Sequence, residues 1–152
     1  MRRGRIAVAL LLSALASSPL ARADWTAAGT SDVPLDGNGH SWVVQATLNG
    51  RVTGRFLLDT GASYCVLAPS TARRLGLSST GERAQLSTAN GMVQAPLVRL
   101  RTVDVGNNRA KDVPAVVHTA VSSALDGVIG LSYLNNFSSY SIDSRRRTLR
   151  LR

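Results

Sequence analysis

Apolar and polar positions alternate from Ser41 to Leu48, and the run stops at Asn49-Gly50, the dipeptide best suited to a two-residue hairpin turn. Arg51 to Leu58 then runs back as the second arm of that hairpin. Tyr64 to Leu67 is another short apolar strand, and Pro69 to Leu75 has room for two helical turns, with Gly76 in the stop position. Arg83 to Thr88 leads into a second Asn-Gly, Asn90-Gly91, followed by a long return from Met92 to Val105. Gly106-Asn107-Asn108 turns the chain again, into a strand near Val113 to His118. Gly130 to Phe137 reads as a short closing helix and Tyr140 to Leu151 as a final hairpin around Ser144-Arg145. Many short strands, regular turns and little helix predict an all-β barrel or sandwich. No internal repeat or linker divides it.

The first residues follow a different pattern. Arg2, Arg3 and Arg5 precede an apolar stretch from Ile6 to Ala16, and Ala21-Arg22-Ala23 offers small residues at a cleavage site. That is the layout of a secretory signal peptide spanning residues 1–23, with an uncleaved anchor as the alternative. Export, to a bacterial periplasm or to a tether facing it, is the corresponding expectation. Residues 24–40 then form an N-terminal extension to a single domain at 41–152.

The leader changes how the charge is read. The whole chain of 152 residues has 18 Lys+Arg against 9 Asp+Glu, a net charge of +9, and loss of the leader's four arginines lowers it to +5. Five of the remaining positives, Arg145, Arg146, Arg147, Arg150 and Arg152, crowd the last eight residues. A basic leader plus a basic tail is not a nucleic-acid footprint, and the tail reads as a solvated strand edge kept from aggregating by charge. One cysteine makes no internal disulfide, and His40 and His118 lack ligand-like spacing, so neither a metal centre nor a cofactor is expected. Cys65, inside Tyr64-Cys65-Val66-Leu67, reads as a small buried hydrophobe.

Chemistry concentrates in Phe56-Leu57-Leu58-Asp59-Thr60-Gly61-Ala62-Ser63. An apolar strand delivers a carboxylate straight into a Thr-Gly turn and leaves through another apolar strand. An aspartate so placed is partly enclosed and needs donors, for which the Thr60 hydroxyl and the Gly61 and Ala62 amides are candidates. Two further features stand at compatible spacing: Thr88-Ala89-Asn90-Gly91-Met92, a hairpin tip suited to a mobile cover, and Leu125-Asp126-Gly127-Val128-Ile129-Gly130, an apolar strand end before a helix. Asp126 tempts as a second carboxylate, but Asp-Gly is turn chemistry.

Together, Asp59-Thr60-Gly61-Ala62-Ser63, the Ala89-Asn90-Gly91 tip and Asp126-Gly127-Val128-Ile129-Gly130 resemble the retropepsin-like aspartic proteases, most nearly their bacterial single-domain, exported or membrane-tethered members. The resemblance spans Ser41 to Leu151. It implies a single-lobe retropepsin-like acid-protease barrel with one or two short helices. It also implies an endopeptidase active as a homodimer, because one Asp-Thr-Gly per chain supplies half of a catalytic pair. By resemblance, Asp59 is the general acid/base, Thr60 bonds across the dimer axis and Gly61 lets main-chain amides approach the carboxylates. Ala62 lies against the substrate backbone, and Ala89, Asn90 and Gly91 form the flap. Val128, Ile129 and Gly130 pack behind the catalytic loop. The implied partners are a peptide or protein substrate and a second copy of the chain, with no nucleic acid. Retroviral relatives carry an Arg after the Gly of the second motif that helps tie the dimer; here Leu131 follows Gly130. The competing reading is a non-catalytic module of the same fold that binds extended peptides by strand addition.

Overall fold

A computed structural model describes residues 32–88 and 91–152; the expected leader at 1–23, and Ala89 and Asn90 of the expected flap, lie outside the described residues. The first hairpin forms where its pattern places it. β3 (Trp42–Leu48) pairs antiparallel with β4 (Val52–Leu58) through a turn in which Asn49 and Gly50 both take positive φ, 52° and 64°. Two short strands precede them, β1 (Asp32–Pro34) and β2 (Asp36–Gly37), too brief to announce themselves by alternation.

After β4 the chain passes through the 59–64 turn into β5 (Cys65–Leu67) and α1 (Pro69–Leu75). Proline opens this helix, where its missing N–H costs nothing, and Gly76 closes it at φ 64°, its N–H bonded to Arg73 O. Thr71, Ala72 and Leu75 form its buried face. Next come β6 (Arg83–Thr88), the long β7 (Gly91–Val105) and β8 (Asn108–Val117). β8 starts five residues earlier than the apolar pattern suggests, because Asn108 to Lys111 pair with β7 directly out of the turn although only Ala110 among them is apolar. β9 (Gly127–Ile129), α2 (Leu131–Leu134), β10 (Tyr140–Asp143) and β11 (Thr148–Leu151) complete the chain. α2 is only four residues long, shorter than the 130–137 stretch.

The main sheet runs β2-β3-β4-β9-β5-β8-β7-β6, and pairing of β3 with β7 closes six of these strands into a barrel. Phe56, Leu48, Leu67, Leu100, Val103, Val105, Ile129 and Leu134 fill it. Tyr133 is fully buried, packs on Phe137 with the rings tilted by 59° and their centroids 5.2 Å apart, and donates its hydroxyl to Asn108 O at 2.9 Å; burial pushes its phenol well above the usual tyrosine range. The order contains one consequential irregularity. β9 is inserted between β4 and β5, parallel to the first and antiparallel to the second, so the turn joining β4 to β5 arches over the C-terminal end of β9.

A second sheet of three strands runs β1-β11-β10. The arginine-rich C-terminus is therefore not a strand edge. β11 is the central strand, its Leu149 and Leu151 are buried, and Arg145, Arg146 and Arg147 occupy the exposed hairpin turn before it. Arg150 clamps β1 through a two-pronged pair with Asp32, at 2.8 and 3.1 Å. That guanidinium holds the Asp32 carboxyl below the usual carboxylate range. A folded value below the unfolded one means that the stabilisation is present above the ordinary value of 3.8 and is lost as pH falls through the folded value. Hydrogen exchange should therefore show β1 fraying below about pH 4 while the barrel stays protected, and Asp32→Asn should remove the pH dependence of that fraying.

Candidate active site

Asp59 stands at the top of the arch, where β4 ends. Its N–H donates to Ile129 O at 3.0 Å, which carries the β4–β9 ladder one residue further and fixes the main chain under the carboxyl. Its Oδ1 accepts the Gly61 N–H at 2.8 Å, and its carbonyl accepts the Ala62 N–H at 3.3 Å. Of the three donors proposed from sequence, only Gly61 reaches the carboxylate. The Ala62 amide closes the turn instead, and the Thr60 hydroxyl has no partner among the described residues of the single chain. Asp59 is half-exposed, while Thr60 and Gly61 are open to solvent. This carboxylate is thus oriented from below and free above, and the exposed threonine beside it is a hydrogen-bonding group without an intrachain role.

The second motif supports that arch. Leu131 N–H donates to Ala62 O at 2.8 Å and Ser132 N–H to Ser63 O at 3.0 Å, tying the start of α2 to the turn that carries Asp59. The Ser132 hydroxyl accepts the Cys65 N–H at 2.8 Å. Gly130 sits where the two meet. A Cβ there would press on the carbonyl oxygens of Tyr64 and of Ala62, the latter at 2.6 Å. Ile129 is buried and Val128 half-buried, lining the cleft beside the turn. Cys65 is buried, and burial pushes its thiol up, out of the reactive range.

Asp126 has another role. Its Oδ2 accepts the Arg55 N–H at 2.9 Å and its Oδ1 the Arg74 guanidinium at 2.9 Å. Its carbonyl accepts the Thr71 hydroxyl at 2.9 Å and the Ala68 N–H at 3.1 Å. One residue thereby clasps β4, β9 and α1 together. It lies level with Arg55, at the middle of β4 and four residues before Asp59, about 13 Å away at the rise of a strand. It is not a second catalytic carboxylate. Replacing Asp126 with Ala strands the Arg55 amide and the Arg74 guanidinium and should cost about 2–3 kcal/mol in urea unfolding. Catalysis per folded molecule should be left nearly intact.

A cleft of about 230 Å³ opens beside the 59–64 turn. Gly61, Ala62, Ser63 and Tyr64 form one wall, Val66 and Val128 the floor, and Gln85, Leu86 and Ser87 of β6 the other wall. Ala62 therefore faces the space an extended chain would occupy. The β6–β7 hairpin stands over this cleft. Gly91, at φ 106°, pairs with Thr88 across it. Ala89 and Asn90 themselves lie outside the described residues.

The sequence pattern did not single out Tyr64, Val66, Leu86, His118 or Val121 as cleft residues. Strand alternation marks the first three as half-buried, but which cavity they face depends on the insertion of β9. His118 shows a faint signal, a lone imidazole at the end of an apolar strand. Its Nδ1 accepts the Ala120 N–H at 3.0 Å and so shapes the bend that brings Val121 to the cleft. His40 is exposed in a loop bonded to Asn38. Among the described residues no His, Cys, Asp or Glu cluster fits a metal ion, and no helix is long and apolar enough to cross a membrane.

These features have counterparts. Residues 44–133 match a family model described as aspartyl protease. Among solved structures, a retropepsin-like aspartic protease from Rickettsia conorii is similar at 25% sequence identity, with a TM-score of 0.58, covering 81% of this chain and 89% of that one. No curated protein matches the chain.

Proposed function

The chain belongs to the aspartyl protease family and has its retropepsin-like fold, and from that premise we propose that it is an endopeptidase active as a homodimer. The observation that carries this reading is the geometry of Asp59. A carboxylate is aimed by the Gly61 amide and the Ile129 carbonyl, half-open to solvent, next to a cleft that fits an extended peptide. Asp59 stands beside this cleft, two residues before its first lining residue Gly61, and no aspartate or glutamate lines the cleft itself among the described residues; in this reading the second acid comes from Asp59 of a second copy.

The chemistry follows from two carboxylates around one water. Brought close, such a pair shares a single proton, the known behaviour of aspartic-protease dyads. The ionised member takes a proton from the bound water as it attacks the scissile carbonyl. The protonated member donates to the carbonyl oxygen and stabilises the developing charge. Thr60, exposed and unpartnered in the single chain, supplies a hydroxyl for the meeting of the two turns. β6 and β7 close over the peptide, whose main chain adds as a strand while side chains enter the cleft. The leader pattern at 1–23 supports a site of action in the periplasm, free or tethered.

Incubation of the protein with a diverse peptide pool from acidic to neutral pH, followed by sequencing of the products, tests this reading. Cleavage that disappears in Asp59→Asn supports it. Peptide capture without any Asp59-dependent product would instead mark a binding module of the same fold.

A further inference from the structure

The homodimer requires a seam, and the residue that helps hold it in retroviral relatives is absent at Leu131. The small sheet β1-β11-β10 has two outer edges, and they differ. Ser139 and Arg152 exchange both main-chain bonds, at 3.3 and 3.0 Å. Alternation of the antiparallel ladder then turns the main-chain groups of Ser141 and Asp143 inward to β11, and those of Tyr140 and Ile142 outward. No strand among the described residues covers that outer side. Across the sheet, Leu35 N–H bonds to Arg147 O and Val33 lies opposite Leu149, which leaves Asp32 and Pro34 facing outward on β1. Pro34 has no N–H to give, and the Asp32 carboxylate is held by Arg150, so this edge is poorly suited to extend the ladder. The β10 edge carries no proline and no basic side chain. Its only charge, Asp143, is turned to its own hairpin, accepting the Arg145 and Arg146 amides at 3.0 and 2.9 Å.

Resting on the homodimer reading above, we infer that β10 is the seam, pairing antiparallel with β10 of a second copy so that the two three-stranded sheets become one. Only a register that sets outward residue against outward residue makes bonds. The register that uses all of them places Tyr140 opposite Ile142 of the second copy, twice by symmetry, with Ser141 on the twofold axis opposite itself. Tyr140, one of two large hydrophobic side chains left exposed among the described residues (37%), then covers the half-buried Ile142 of the second copy. The seam is linked to the chemistry. β10 follows α2 closely, and α2 is bonded at Leu131 and Ser132 to the turn that carries Asp59. The central position of β11 makes each small sheet complete in one chain, so the copies meet edge to edge without exchanging termini.

Ser141→Cys tests the register. Residues facing each other at a non-hydrogen-bonded site are about 4.5 Å apart at Cα, inside the roughly 4.4–6.8 Å range of disulfides. The only native cysteine, Cys65, is buried. Mild oxidation should convert Ser141→Cys into a covalent dimer, while Pro34→Cys on the opposite edge should stay uncrosslinked. Tyr140→Lys should raise the dimer dissociation constant at least about tenfold in sedimentation, with an unchanged circular dichroism spectrum. A wild type that cleaves peptides, together with a Ser141→Cys variant that does not crosslink, would overturn the seam and leave the protease reading standing. A crosslinked dimer inert toward every peptide would support the seam and count against the protease. Crosslinking through Pro34→Cys in place of Ser141→Cys would overturn the seam.

Discussion

Asp59→Asn should leave the fold intact and lower peptide cleavage by at least about 10⁴-fold, the upper end of what a positioned acid or base contributes. The asparagine keeps the shape of the side chain and retains an oxygen to accept the Gly61 N–H, so the turn and the ladder from Ile129 are undisturbed. Only the ability to hold or release a proton is lost. In the proposed homodimer each active unit contains two copies of the residue, so the substitution removes both the base that activates water and the acid that protonates the carbonyl oxygen. Thermal unfolding of the variant should match wild type within about 0.5 kcal/mol, as expected of a half-exposed site. Loss of activity together with loss of folding would point to a structural carboxylate instead.

Gly130→Ala is the second large effect, and its cause is steric. Gly130 has φ −112°, a conformation open to any residue, so backbone freedom is not at stake. The added methyl would enter the space of two carbonyl oxygens, Tyr64 O and Ala62 O, and the latter also accepts the Leu131 N–H. Main-chain oxygens on a turn pinned from both sides cannot swing away as a side-chain tip can. The cost should be about 3 kcal/mol or more, a drop of roughly 10–20 °C in Tm for a domain of this size. Any folded remainder should cleave poorly, because relief of the clash displaces the turn that carries Asp59. Gly76→Ala makes the contrast. Nothing lies within 4 Å of its Cβ position, only the positive φ of 64° is unfavourable, and the penalty should stay near about 1 kcal/mol.

Local chemistry made half of this fold legible. Asn49-Gly50 sets a hairpin through positive φ at both positions, and Pro69 with Gly76 brackets a helix to the residue, because each of these signals acts within a few bonds. What stayed hidden is long-range. Nothing in Gly127-Val128-Ile129 tells that it slides between β4 and β5, although that insertion makes the turn that carries Asp59 an arch and leaves no room for a side chain at Gly130. Asp126 reads as turn chemistry, and only the approach of Arg55, Thr71 and Arg74 from distant segments makes it a clasp. The C-terminal arginines suggest an exposed edge, whereas pairing with β1 on one side and β10 on the other makes β11 a central strand. Asp59, Thr60 and Gly61 were identifiable as a motif. That a carboxylate on this arch accepts one amide, and lacks the other donors, followed from the coordinates alone.

The central claim is that two chains each lend one Asp59 to a single water. Holding the wild-type concentration fixed while adding excess Asp59→Asn protein measures this directly, since mixed dimers carry one working acid. The account predicts that cleavage falls steadily toward zero as wild-type subunits are drawn into mixed pairs, with a half-and-half mixture showing about a quarter of the activity of the same total of wild type. Cleavage that stays constant however much Asp59→Asn is added would mean that one chain suffices, and would contradict the account.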